Sequence, residues 1–218
     1  MANKTPQHVT IIGVGLLGGS AGLAIKAYDP RIRVAGVGRR IESLEAALAA
    51  GAIDTAHLTC HEPVAQSDLV ILATPVGAFE RHMRAIAPLL RRGAVVTDVG
   101  STKARVVAAA ARVFGPAGPF VGSHPMAGSE QKGVPFARAD LFHGATCILT
   151  PTPTTPRALV ARVEAFWQLL GMHTVRPHGP GRPRPHRRPR QPSAPRPGGL
   201  ADAPAGRRRP GRLRQRIP

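Results

Sequence analysis

The residue types best suited to chemistry fall in four short segments, each set just after an apolar run. The first, Gly13-Val14-Gly15-Leu16-Leu17-Gly18-Gly19-Ser20, has the glycine spacing of a phosphate cradle. Gly13 permits a tight turn, Gly15 lets backbone approach a pyrophosphate, and Gly18 lets a helix pack closely on a strand. A helix opening there adds free N–H groups and a positive dipole end. The second segment is Gly38-Arg39-Arg40, where such a site would meet a dinucleotide's ribose. A carboxylate would bond the 2′-hydroxyl of NAD, whereas a base suits the 2′-phosphate of NADP; with no acid before Glu42, the sequence favours NADP. The bland alternative is a pair of solvated arginines, or arginines stacked on adenine. The third segment, Thr97-Asp98-Val99-Gly100-Ser101-Thr102-Lys103, could aim Ser101 and Lys103 at a ligand, although a helix cap and a surface lysine are commoner. The fourth runs from Gly122 to Gly133 and carries His124 and then a Gly-rich polar loop; a single histidine is more often structural than catalytic.

These segments need strand ends to hold them, and the hydrophobic pattern supplies them. Buried strands are expected over 8–14, 33–37, 69–73, 94–98 and 120–123, with further short strands at 145–149 and 172–175. Helices are expected over 16–28, 41–50, 77–90, 103–114 and 156–170. Leu44, Ala47 and Leu48 share one helical face, as do Phe79, Met83, Ile86 and Leu90, and Gly51 is placed to stop the helix before it. Strand alternating with helix predicts an α/β fold, a Rossmann-type doubly wound and mainly parallel sheet, with each chemical segment at a strand's carboxyl end. There is no internal repeat.

Composition divides the chain in two. Residues 1–176 form the expected NAD(P)-binding domain. Residues 177–218 hold 12 Arg against one acid, Asp202, and so supply +11 of the formal +18, leaving +7 on the domain. That tail has 11 prolines and no Val, Met, Phe, Tyr or Trp, so it is expected to be disordered. Cys60 and Cys147 have no metal or redox spacing, which predicts reduced thiols, no metal site and a cytoplasmic protein. Neither a secretory leader nor a membrane-spanning apolar run is visible.

Together the motifs GVGLLGGS, ILATPV, TDVGSTK and GSHPMAGSEQKGV, in this order and spacing, resemble the prephenate/arogenate dehydrogenase family of tyrosine biosynthesis. The resemblance covers roughly residues 8–176, and its most specific part is the segment around His124. It implies oxidative decarboxylation of prephenate or arogenate with hydride transfer to NADP or NAD. Hydride leaves the ring carbon bearing the 4-hydroxyl, the ring carboxylate departs as CO2, and an aromatic ring forms. The resemblance assigns His124 as acceptor of the hydroxyl proton and Ser101 as its partner. It also places Ser129 and Glu130 in the substrate pocket, and Thr74 and Pro75 beside the nicotinamide ribose. With the glycine loop (Gly13, Val14, Gly15, Leu16, Gly18) and Arg39 and Arg40, these make up the expected site. Another Rossmann dehydrogenase acting on a small hydroxy acid is the second reading.

The family continues into an all-helical domain that supplies the dimer interface and one wall of the active site. Here the resemblance stops at Arg176. Three readings of the tail compete: a solvated extension, a basic nucleic-acid-binding arm, and the family's next domain read out of frame. The arm has the charge, but no aromatic residue to stack a base and no known module. We prefer the frame reading. Gln191-Pro192-Ser193-Ala194-Pro195-Arg196-Pro197 can be written CAG CCA TCT GCC CCA CGC CCT, and one nucleotide later this reads SHLPHA, close to a helix segment the family carries. On this reading the chain is expected to bind dinucleotide, to turn over substrate poorly, and to form the family's homodimer weakly if at all.

Overall fold

The computed structural model describes residues 5–128 and 130–176, all within one compact unit, Met1–Gly179. The tail, with every expectation placed on it, lies outside the described residues, as does Ser129. Among the described residues eight strands form one sheet: β1 His8–Ile12, β2 Arg33–Val37, β3 Thr55–His57, β4 Leu69–Leu72, β5 Val95–Asp98, β6 Phe120–Pro125, β7 Thr146–Thr150 and β8 His173–Val175. Six helices connect or flank them: α1 Leu16–Tyr28, α2 Ile41–Ala49, α3 His61–Gln66, α4 Phe79–Ile86, α5 Lys103–Phe114 and α6 Arg157–Leu169. The strand order is β3-β2-β1-β4-β5-β6-β7-β8, with all pairs parallel except β6–β7. This is the expected doubly wound fold. The chain winds outward from β1 to β3, then crosses back to β4, so the strand order reverses beside β1. Ligands of such sheets lie at that reversal, outside the carboxyl ends of the strands.

The core explains why the strands are apolar on both faces. Helices cover each side, and β4 is buried at every position, Leu69 through Leu72. One cluster gathers Val9, Ile11, Ile25, Leu69, Ile71 and Trp167. The other gathers Ile12, Val70, Leu72, Phe79, Met83 and Ile86. Alternate residues of β1 and β4 thus feed opposite layers, as the two-residue period of a strand requires. Near β7, Trp167 meets Phe142 and Phe166 edge-on, with ring centroids 5.6 and 5.1 Å apart. Each such pair adds about 0.5–1.5 kcal/mol beyond its buried area.

Several sequence expectations shift in detail. The single helix expected over 77–90 is a 3-10 turn at Val76–Ala78, α4, and a second 3-10 turn at Ala87–Leu89. Pro88, which cannot donate to the helical ladder, accounts for the break. The short β3 and α3 have no expected counterpart. Leu48 does not join Leu44 and Ala47 in the core; it lies exposed past the packed face of α2. Gly51 does end that helix, at φ +70°. Among the described residues, no helix is long and apolar enough to cross a membrane.

Candidate active site

A cleft of about 650 Å³ opens at the carboxyl ends of β1, β2 and β4. The glycine loop forms its floor. Gly13 sits at φ +99°, donates its N–H to the Val37 carbonyl at 2.8 Å, and presses on the end of β4. A Cβ on Gly13 would lie 2.7 Å from the Thr74 backbone nitrogen, so the position excludes any other residue. Gly18 faces the other way: a Cβ there would land on the Gly13 carbonyl oxygen and crowd Ile11, so Gly18 lets α1 close on β1. Gly15 is different again, because open space lies where its Cβ would be. The loop therefore contains two glycines required by packing and one that leaves room for a ligand. Gly15 caps α1 without a side-chain hydrogen bond, and no acidic residue stands in the first turn. The free N–H groups at the start of α1 consequently suit an anion.

The rest of the wall is basic. Arg39 and Arg40 follow β2, and Arg81 and His82 come from α4; His61, at the start of α3, completes the rim. Among the described residues, no carboxylate lines the cleft. Thr74 and Pro75, after β4, form the wall on the side of β5, and the Thr74 hydroxyl is buried without a hydrogen-bond partner. A buried, unpaired hydroxyl costs about 1–3 kcal/mol, which a polar ligand would offset. The vacant space at Gly15, the uncapped α1 and the orphaned Thr74 hydroxyl together fit a dinucleotide. Of the expected cofactor residues, Gly13, Val14, Gly15, Arg39, Arg40, Thr74 and Pro75 share this cleft. Leu16 opens α1 half-buried, and Gly18 supports the loop from behind; neither lines the cleft.

Beyond β4 the polar groups are organised differently. Asp98 ends β5 fully buried and accepts from the Ser123 backbone N–H at 3.0 Å, the Gly100 N–H at 2.9 Å and the Lys103 ammonium. Lys103 also donates to the Ser123 carbonyl at 2.6 Å. Burial raises the Asp98 carboxyl and lowers the Lys103 ammonium, while the attraction between the two and the backbone donors on the carboxylate oppose both shifts. The Ser123 hydroxyl donates to the Asp98 carbonyl, and the Thr97 hydroxyl donates to the Val121 carbonyl at 2.7 Å. The ends of β5 and β6 are thus tied together directly beneath His124.

His124 is half-buried in β6, which runs two residues further than its apolar run suggested. Antiparallel pairing with β7 through Ile148 and Cys147 extends it. Burial, with the Lys103 cation adding to it and Asp98 opposing, holds the imidazole below its ordinary pKa of 6.5. It is therefore neutral at pH 7, the form that can accept a proton. Beneath it, burial pushes the Cys147 thiol up to about 12, which leaves it unreactive. Ser101 is exposed in the turn before α5, and no hydrogen bond joins it to His124. Lys103, expected to face a ligand, instead turns inward, since the buried Asp98 needs a counter-charge. Glu130 is exposed in the loop after β6.

Sequence reasoning missed Arg81, His82 and His61 on the cleft wall, and the structural part played by Asp98 and Ser123. Asp98 left a trace: an acid closing an all-apolar strand needs a buried partner. The residues of α3 and α4 left none, because their approach to the β2 turn is a tertiary fact.

Comparison with known proteins places the chain. Residues 21–176 match the family model described as prephenate dehydrogenase, nucleotide-binding domain. A prephenate dehydrogenase of Bacillus subtilis is 37% identical over 177 residues, covering 79% of this chain and 47% of its own length. A cyclohexadienyl dehydrogenase of Zymomonas mobilis is 34% identical over 165 residues, 76% of this chain and 56% of its own. Among solved structures, prephenate dehydrogenase from A. aeolicus, in complex with hydroxyphenyl propionate and NAD+, superimposes with a TM-score of 0.74 at 31% identity. That superposition covers 80% of this chain and 61% of the other. The chain spans about half the length of the curated relatives it matches.

Proposed function

The chain belongs to the prephenate dehydrogenase family, and from that premise we propose that it is the cofactor-binding part of a cytoplasmic enzyme that oxidatively decarboxylates prephenate or arogenate, with NADP preferred over NAD. The observation that carries this reading is a basic cleft, with no carboxylate among its described lining residues, in a sheet whose β6 presents a neutral histidine near its carboxyl end. Gly13, Val14 and Gly15 would hold the pyrophosphate, with Gly18 keeping α1 in place behind them. Thr74 and Pro75 would border the nicotinamide ribose, and Arg39 and Arg40 the 2′-phosphate. When bound, the nicotinamide supplies a hydride acceptor. His124 accepts the 4-hydroxyl proton as hydride departs, and returns it to the phenolic oxygen once CO2 has left. Formation of the aromatic ring drives the step, so the protein must mainly orient and deprotonate.

In this reading Ser101 touches the substrate hydroxyl, and Ser129 and Glu130 line the substrate side. Lys103 is committed to Asp98 and Ser123, so it positions His124 electrostatically and leaves the substrate carboxylates to other cations. The 218-residue chain is accordingly expected to bind dinucleotide well and to react slowly.

The test is single-turnover reduction of NADP, with enzyme in excess, using prephenate, arogenate and small β-hydroxy acids. Slow reduction with prephenate or arogenate, lost in His124→Asn, is expected. Oxidation of a hydroxy acid but of neither ring substrate would overturn the reading, as would full activity in His124→Asn.

A further inference from the structure

We propose that His82 is a proton-accepting member of the 2′-phosphate site, so that NADP binds with uptake of a proton and the preference for NADP over NAD strengthens as pH falls. The inference rests on the NADP reading above. His82 is half-buried on the cleft wall, where α4 faces the turn after β2. Arg39 acts on it from that turn and Arg81 from its own helix. Arg40 and His61 line the same cleft.

The acids of α2, α3 and α4 nearest this wall do not line the cleft. Glu42 of α2 lies 3.6 Å from Arg40, and both are exposed. Glu80 of α4 binds Arg84 at 2.8 Å and Arg112 of α5 at 2.7 Å, beside Arg105 in a separate groove. Glu62 of α3 lines another hollow, with Pro63 and Gln66. Among the described residues lining the cleft there is thus no carboxylate to offset the charge around His82. Burial first, then Arg81 and Arg39, hold its imidazole below the ordinary value and leave it neutral at pH 7.

A phosphate dianion among these groups reverses that balance. It cancels the repulsion from the two guanidinium groups and gives the imidazole an acceptor, so the neutral ring gains a proton on binding. Linkage then requires the converse: wherever the bound complex holds more protons than the free partners, affinity falls as pH rises. NAD carries a hydroxyl at this position and brings no such gain. The three groups come from two elements with no sequence spacing in common, which is why the arrangement is invisible in the motif itself.

The test is calorimetric titration of the full chain with NADP and with NAD from pH 5.5 to 8.5, for wild type and His82→Gln. The 2′-phosphate titrates in both proteins, so the difference in pH slope isolates His82. The expected result is an NADP Kd that rises in wild type by up to about tenfold per pH unit more than in the variant, across the window between the free and bound pKa. The NAD slopes of the two proteins should coincide. A histidine NMR titration of wild type supplies a readout that needs no variant: the His82 pKa should rise with saturating NADP and stay low with NAD. Equal NADP slopes, or an unmoved His82 pKa, while NADP still binds tighter than NAD, would sink the proton-linked role alone. NADP binding no tighter than NAD at any pH would sink the reading beneath it as well.

Discussion

At the glycine loop the polar groups are left without partners, whereas two strands away they are bonded to saturation. The Thr74 hydroxyl is orphaned, α1 is uncapped, and Arg39 and Arg81 are exposed with no carboxylate on the cleft wall. Asp98, in contrast, has three donors, Lys103 has two acceptors, and the hydroxyls of Thr97 and Ser123 are both engaged. The first region is built to receive charge from outside the protein; the second balances its own charge and so fixes the backbone that carries His124. A site for a large anionic cofactor must leave donors free, at some cost in stability. A site for proton transfer must present one side chain at a fixed position and ready to accept, and a closed network beneath it does that.

The largest effect should come from opening the closed network. Asp98→Ala strands a buried ammonium and two backbone N–H groups, and is expected to lower unfolding free energy by about 3–5 kcal/mol in a denaturant titration. A loss under 1 kcal/mol would mean the β5–β6 junction is held by the sheet alone. In the open region the corresponding lesion is steric. Gly18→Ala drives a methyl into the Gly13 carbonyl, so both dinucleotides should bind roughly a hundredfold more weakly as one or two charge-assisted bonds are lost. Binding within twofold of wild type would show that the loop can relax around the methyl group.

A smaller change separates the two cofactors. Arg39→Ala should weaken NADP by about tenfold, the value of a single exposed charge-assisted contact, and leave NAD little altered. Equal losses for both would place Arg39 on the adenine ring. The smallest effect is shared by the two regions. His124 and His82 are both held below 6.5 in the folded protein, so the unfolded chain takes up protons first as pH falls. Their contribution to stability is full above pH 6.5 and is lost as pH drops from there through the depressed folded values. Replacing both with Gln should flatten the stability profile across that window, and an unchanged slope would deny the shared shift.

Much of this was legible beforehand. The two-residue alternation and continuous apolar runs located β1, β2, β4 and β5, because strands covered on both faces can tolerate little else. The glycine spacing announced the loop, because a positive φ at Gly13 and a backbone contact at Gly18 admit no side chain. Short edge elements were not legible: β3 and α3 have three and six residues, too few to establish a period. Nor was the break of the helix at Pro88, because the apolar repeat runs through it.

Sequence by itself determined the fold class, the family, the glycine loop and the presence of a histidine at a strand end, since each of these depends on local spacing and backbone conformation. Only the tertiary structure decided what the charges do. Lys103 turns inward because Asp98 is buried 2.9–3.0 Å from two backbone donors and requires a cation. His82 joins Arg39 because α4 packs across the end of the sheet from the β2 turn. Charge interacts through space with whatever the fold brings near, and a sequence lists its charges without their distances.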